Sequence, residues 1–90
     1  KALSKCNKGW VLVWSDYNGS SPQDYYFNLT FIPKNFIQQF NSYGLSVPLS
    51  NSNGAMTAKY IYVSDSSFTG TSANGTGTPA GYVLRSVYEV

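Results

Sequence analysis

The run G-W-V-L-V-W-S-D-Y, Gly9 to Tyr17, constrains this chain more than any other stretch. At a period of two, Trp10, Leu12, Trp14 and Asp16 fall on one face, and Val11, Val13, Ser15 and Tyr17 fall on the other. Both faces are largely apolar, a pattern that suits a central or sandwiched strand. Three further runs read as strands. In Tyr25 to Pro33, residues Tyr25, Phe27, Leu29 and Phe31 oppose Tyr26, Asn28 and Thr30 in an in/out pattern. In Thr57 to Asp65, Ile61 and Val63 oppose Tyr60 and Tyr62. In Gly81 to Val90, residues Tyr82, Leu84 and Tyr88 face away from Val83, Arg85 and Val87.

Shorter signals fill the gaps. Pro33 to Phe40 is the one helical candidate, with Pro33 in its first turn and Phe36, Ile37 and Phe40 at helical spacing. Gly44 to Leu49 and Phe68 to Thr69 read as brief strands. Asn18-Gly19, Asn53-Gly54 and Asn74-Gly75 are hairpin-type dipeptides, because both residues tolerate positive φ. The sum is an all-β fold, a small antiparallel barrel or sandwich of Greek-key type with one short helix.

Size limits what such a fold can do alone. Ninety residues make one domain, and a chain of this length buries only about 60–65% of its unfolded surface. Internal disulfides are excluded because Cys6 is the only cysteine, and without histidine a zinc site has too few ligands. Oligomerisation is the remaining support. No stretch reaches the roughly 18 apolar residues of a membrane span, and no signal-peptide pattern is present. The chain starts at Lys1 rather than Met, which reads as a portion of something longer.

Charged residues are 11% of the chain, against the roughly 25% usual in globular domains. Aromatics are 17%, and the net charge is +2 with a single arginine, Arg85. That excludes a polybasic footprint for nucleic acid. A surface of hydroxyls and amides suits neutral, hydroxyl-rich ligands.

The segment W-S-D-Y-N-G-S-S-P-Q-D-Y-Y, Trp14 to Tyr26, concentrates the remaining chemistry. As a calcium loop, Asp16, Asn18, Ser20 and Asp24 would supply oxygens. However, Gly19 stands at position 4 where glycine belongs at 6, and Phe27 occupies position 12 in place of glutamate. As a glycosidase pair, Asp16 and Asp24 would need a cleft that raises one carboxyl, which a domain this small rarely encloses. K-G-W-V-L-V-W echoes an aromatic RNA-binding strand but lacks the second motif and the basic surround. Carbohydrate binding fits best, since sugar C–H faces pack on rings and sugar hydroxyls pair with Asp, Asn or Arg. Asn18-Gly-Ser, Asn28-Leu-Thr and Asn74-Gly-Thr match the glycosylation sequon, as expected by chance in a chain this rich in Asn, Ser and Thr.

Taken in order, G-W-V-L-V-W-S-D-Y, D-Y-Y-F-N-L-T-F-I-P-K, A-K-Y-I-Y-V-S-D-S-S-F-T-G and the terminal Y-V-L-R-S-V-Y-E-V resemble a known family. It is that of the C-terminal head domains of receptor-binding proteins from siphophages of Gram-positive bacteria, the lactococcal type especially. The resemblance runs from about Gly9 to the end and implies a β-barrel head, homotrimeric, at a phage tail tip or baseplate. Such heads adhere to a bacterial cell-wall saccharide without cleaving it, with no cofactor, metal or membrane insertion. Related heads hold sugar through aromatic rings with Asp, His and Arg side chains; the histidine part has no counterpart here. The candidate ligand-binding residues are Trp14, Asp16, Tyr17, Asp24, Tyr25, Lys34, Tyr62, Asp65 and Arg85. Arg85 is equally placed to ion-pair with Glu89 or an aspartate between subunits.

Overall fold

A computed structural model describes all residues from Lys1 to Val90. Two antiparallel three-stranded sheets face each other. The first holds β1 (Gly9–Asp16) between β2 (Asn28–Pro33) and β6 (Tyr82–Glu89); the second holds β4 (Met56–Val63) between β3 (Gly44–Ser50) and β5 (Phe68–Gly70). The short helix α1 (Phe36–Phe40) carries the chain from the first sheet to the second, and two 3-10 turns, Ser72–Gly75 and Thr78–Gly81, bring it back. The fold is therefore an all-β sandwich with one short helix. No helix is long and apolar enough to cross a membrane.

The core lies between the sheets. Trp10, Leu12 and Trp14 of β1 and Ile32 of β2 meet Val47 and Leu49 of β3 and Ile61 and Val63 of β4. Leu3 and Cys6 of the N-terminal turn join them, as does Tyr82. The central position expected for Gly9–Tyr17 holds, because β1 is paired on both edges and buried along almost its whole length. Asn53-Gly54 lies in the turn between β3 and β4, where Gly54 takes φ +83° as its dipeptide predicts. Asn53 keeps a negative φ, and the turn spans residues 51–55 rather than two residues. Asn74-Gly75 instead falls in the Ser72–Gly75 turn, and Gly75 has no positive φ.

Two strands depart from simple alternation. Residues 25–27 lie outside β2, and within the strand the ring-bearing face points outward: Leu29 is 70% exposed and Phe31 52%. The inward positions are already assigned. Ile32 pairs with Trp10, Thr30 accepts the Trp14 indole N–H at 3.1 Å, and Asn28 clamps the neighbouring sheet. In β6 the register slips between Val13–Ser86 and Trp14–Leu84, leaving Arg85 as an extra residue. The bulge resets the alternation, so that Tyr82, Leu84 and Val87 share the inner side while Tyr88 pairs with Val11 outside.

The sandwich is closed along one side and open along the other. On the β2–β3 side, the Asn28 amide donates to the Ser50 carbonyl at 3.1 Å and accepts from the Ser50 amide at 3.1 Å. On the β5–β6 side, β5 is only three residues long, and the gap between the sheets leads inward to Trp10 and Trp14.

Candidate functional site

The segment from Trp14 to Tyr26 leaves the sheet as a long excursion rather than a two-residue hairpin. Asn18 organises its tip, with Oδ1 accepting the Ser20 and Ser21 amides, each at 2.9 Å, while Tyr17 bridges Pro22. The chain then returns along β1: the Gln23 amide donates to the Asp16 carbonyl at 2.8 Å, and the Asp16 amide to the Tyr25 carbonyl at 3.1 Å. Asp16, Tyr17, Asp24, Tyr25 and Tyr26 are thus gathered at one end of the sandwich.

Arg85 ties this excursion to the sheet. Its bulge position directs the guanidinium to the outer face of β1. There it donates to Ser15 Oγ at 3.0 Å and to the Gln23 carbonyl at 3.2 Å, and it pairs with Asp24 Oδ1 at 3.0 Å. The Phe27 ring lies 6.0 Å from the guanidinium carbon. The ion pair expected between subunits is replaced by one within the chain: Arg85 pairs with Asp24 across the loop, and Glu89 pairs with the Lys1 amino group. The Asp24 side chain is 83% exposed, so its other oxygen faces solvent.

Around this ion pair the rings stand at right angles, Tyr25 against Tyr26 at 4.9 Å and 83°. Desolvation first, then the negative charge of Asp16, raises the Tyr25 hydroxyl above its usual 10.0. Burial first, then Asp16 and Tyr26, does the same to Tyr82, which pairs with Asp16 across the strands. Both phenols therefore release their protons only at a higher pH than an ordinary tyrosine does.

The other four candidates lie elsewhere. Trp14 is 4% exposed and belongs to the core; the only open approach to it is from the β5–β6 gap. Lys34 follows β2 at the far end, its amide bonded to the Lys8 carbonyl at 2.8 Å. Asp65 holds the N-terminal turn, accepting the Ser4 amide at 2.7 Å and the Ser4 hydroxyl at 2.9 Å. Tyr62 sits on the outer face of the second sheet, edge-on to Tyr60 at 5.4 Å. The sequon asparagines all hold backbone in place. Asn18 does so in its turn, Asn28 between the sheets, and Asn74 by bonding both backbone groups of Tyr60.

Lys59 stands outside the candidate set, yet it faces the β5–β6 gap beside Trp14. It lies in phase with Ile61 and Val63, on the inward side of β4, with its ammonium 5.7 Å from the centre of the Trp14 ring. The sequence does carry its signal, a charge at the i−2 position of an inward apolar pair.

Comparison with known proteins returned nothing: no family model, no curated protein and no solved structure matches this chain.

Proposed function

We propose that this sandwich is a saccharide-adhesion module rather than a catalyst. More particularly, we read it as the host-recognition head of a phage receptor-binding protein, carried at a tail tip or baseplate and seated on a bacterial cell-wall saccharide. The observation that carries the reading is the loop rim. There an exposed carboxylate held by a fixed arginine stands beside the exposed ring of Tyr25 and its partner Tyr26. A ring for the C–H face of a sugar and an oriented carboxylate for its hydroxyls are what such recognition requires. A general acid needs a carboxyl raised by burial, whereas Asp24 is open to solvent and ion-paired.

The outer face of the first sheet supports a homotrimer. Phe27, Leu29, Phe31 and Tyr88 are all more than half exposed over Val11 and Val13, and none of these positions carries a formal charge. Together they present roughly 400 Å² of ring and aliphatic surface. Three such faces about one axis bring together roughly 1,200 Å², about 400 Å² for each pairwise contact. Neighbouring surface must therefore join these rings to reach the roughly 1,200 Å² of a stable two-body interface. In that arrangement a weak site is multiplied by three copies per head. The same face favours a second reading, a trimer-forming cap with no ligand.

Binding of the chain to purified Gram-positive cell-wall polysaccharide tests the choice. Saturable binding that is lost in Tyr25→Ala and Asp24→Ala, with solution mass unchanged, supports adhesion. No binding by the parent chain supports the cap, and new reducing ends in the polysaccharide would make the module a hydrolase.

A further inference from the structure

The gap between the sheets on the β5–β6 side is built more deliberately than an unfilled seam. A cleft of about 280 Å³ has the buried Trp14 ring at its floor and is lined further by the half-buried Lys59, Thr71 and Asn74 and by Ile61 and Leu84. Its Asn74 side is held in place. Asn74 Nδ2 donates to the Tyr60 carbonyl at 2.8 Å, and its Oδ1 accepts the Tyr60 amide at 2.9 Å. A side chain at Gly70 would come within 2.8 Å of that amide nitrogen, so glycine there lets Asn74 close down on β4.

Lys59 is the anomaly. It occupies an inward position of a strand whose next two inward positions are core residues. The fold holds two ion pairs, Lys1–Glu89 and Arg85–Asp24, and Lys59 is in neither. All four carboxylates lie elsewhere: Asp16 and Asp24 at the loop rim, Asp65 on the N-terminal turn and Glu89 at the end of β6. Burial alone draws its ammonium below the usual 10.5, so the cleft is a place where positive charge is under-solvated. Methionine would fill the same space without that cost. The Trp14 ring beside Lys59 offsets only part of that cost, and with no carboxylate partner in the fold the ammonium gains from an anion that enters from outside.

We propose that this cleft is a ligand site, separate from the loop rim, for an anionic group on a small hydroxylated molecule: a phosphate ester or a carboxylate on a sugar or polyol. Lys59 supplies the charge, the Trp14 ring the floor, and the Thr71 hydroxyl a hydrogen-bonding group in the lining. The assignment stands on the cleft itself and does not depend on the host-recognition reading. If that reading is right, it adds an acidic component to the saccharide.

Nuclear magnetic resonance titration of the chain tests it, with the Trp14 indole N–H as reporter. The Trp10 indole, which donates to the Lys1 carbonyl, serves as the internal reference. The probes are glycerol 3-phosphate, glucuronate, glycerol and glucose. The expected result is a saturable shift of the Trp14 signal with at least one anionic probe and none with the two uncharged ones. Response to glycerol 3-phosphate alone identifies a phosphate site, and response to glucuronate alone a carboxylate site. The shift disappears in Lys59→Met and persists in Lys59→Arg. The proposal is overturned if neither anion shifts Trp14 at tens of millimolar, if the neutral probes act equally, or if the shift survives in Lys59→Met. Should Lys59→Met fail to fold, Lys59→Gln takes its place, and the parent titration alone still decides.

Discussion

Asn74 completes β4 where β5 runs out. The β4–β5 ladder ends at the Ile61–Gly70 pair, and the side-chain amide of Asn74 then takes both backbone groups of Tyr60 as one more strand residue would. Removing it unpairs a donor and an acceptor at once. Asn74→Ala is expected to lower stability by about 1–3 kcal/mol, measured by chemical denaturation. Asn74→Asp keeps the acceptor for the Tyr60 amide but sets a carboxylate against the Tyr60 carbonyl, and falls on the same side. Gly70→Ala should cost a comparable amount by forcing the same amide away.

Arg85 holds the loop rim through three acceptors, of which Ser15 Oγ is fully buried. Arg85→Ala is expected to cost about 1–2 kcal/mol, most of it from Ser15 and Gln23 rather than the solvent-screened pair with Asp24. Amide hydrogen exchange locates the effect: the amides of Asp16 and Gln23 should lose protection, while those of the β3–β4 hairpin keep theirs. Arg85→Lys should recover only part of it, because one ammonium cannot reproduce the fork.

The titrating phenols set the alkaline limit. The Tyr82 hydroxyl is raised above 10.0 in the fold, by burial and then by Asp16 and Tyr26, and Tyr25 is raised in the same sense. Above pH 10 the unfolded chain therefore releases protons that the folded chain retains, and stability falls as pH rises through the folded values. Lys59 has the opposite sign. Its lowered value means that the unfolded chain binds the extra proton, so stability rises as pH approaches 10.5 from below. Melting temperatures across that range should fall less steeply in Tyr82→Phe and more steeply in Lys59→Met.

Some of this fold is legible in the sequence and some is not, for physical reasons. β1 is legible because two apolar faces suit a central or sandwiched strand, and Gly54 because its turn needs positive φ there. The orientation of β2 is not. Its alternation says which residues share a face, but which face turns inward is decided by the two tryptophans of β1, whose neighbours must be Ile32, Thr30 and Asn28. The bulge at Arg85 carries no local signal either, yet it moves that side chain onto the loop rim. Asp16, Tyr17, Asp24 and Tyr25 converge because sequence neighbours across a turn stay neighbours in space. Lys34, Tyr62 and Asp65 are candidates on chemistry alone, and the topology sends them to other parts of the fold. Lys59 is readable from its phase with Ile61 and Val63, a weaker cue than the aromatic cluster that draws attention to the loop.

In the proposed homotrimer the outward face of β2 is the contact surface, and the multiplied weak site depends on it. Light scattering on the parent chain and on a Leu29→Lys, Phe31→Glu double variant measures that directly. The expected mass is three chains for the parent and one for the variant, with the variant's circular dichroism unchanged. A parent that stays a single chain at every concentration, its Leu29 and Phe31 facing water, would refute the trimer.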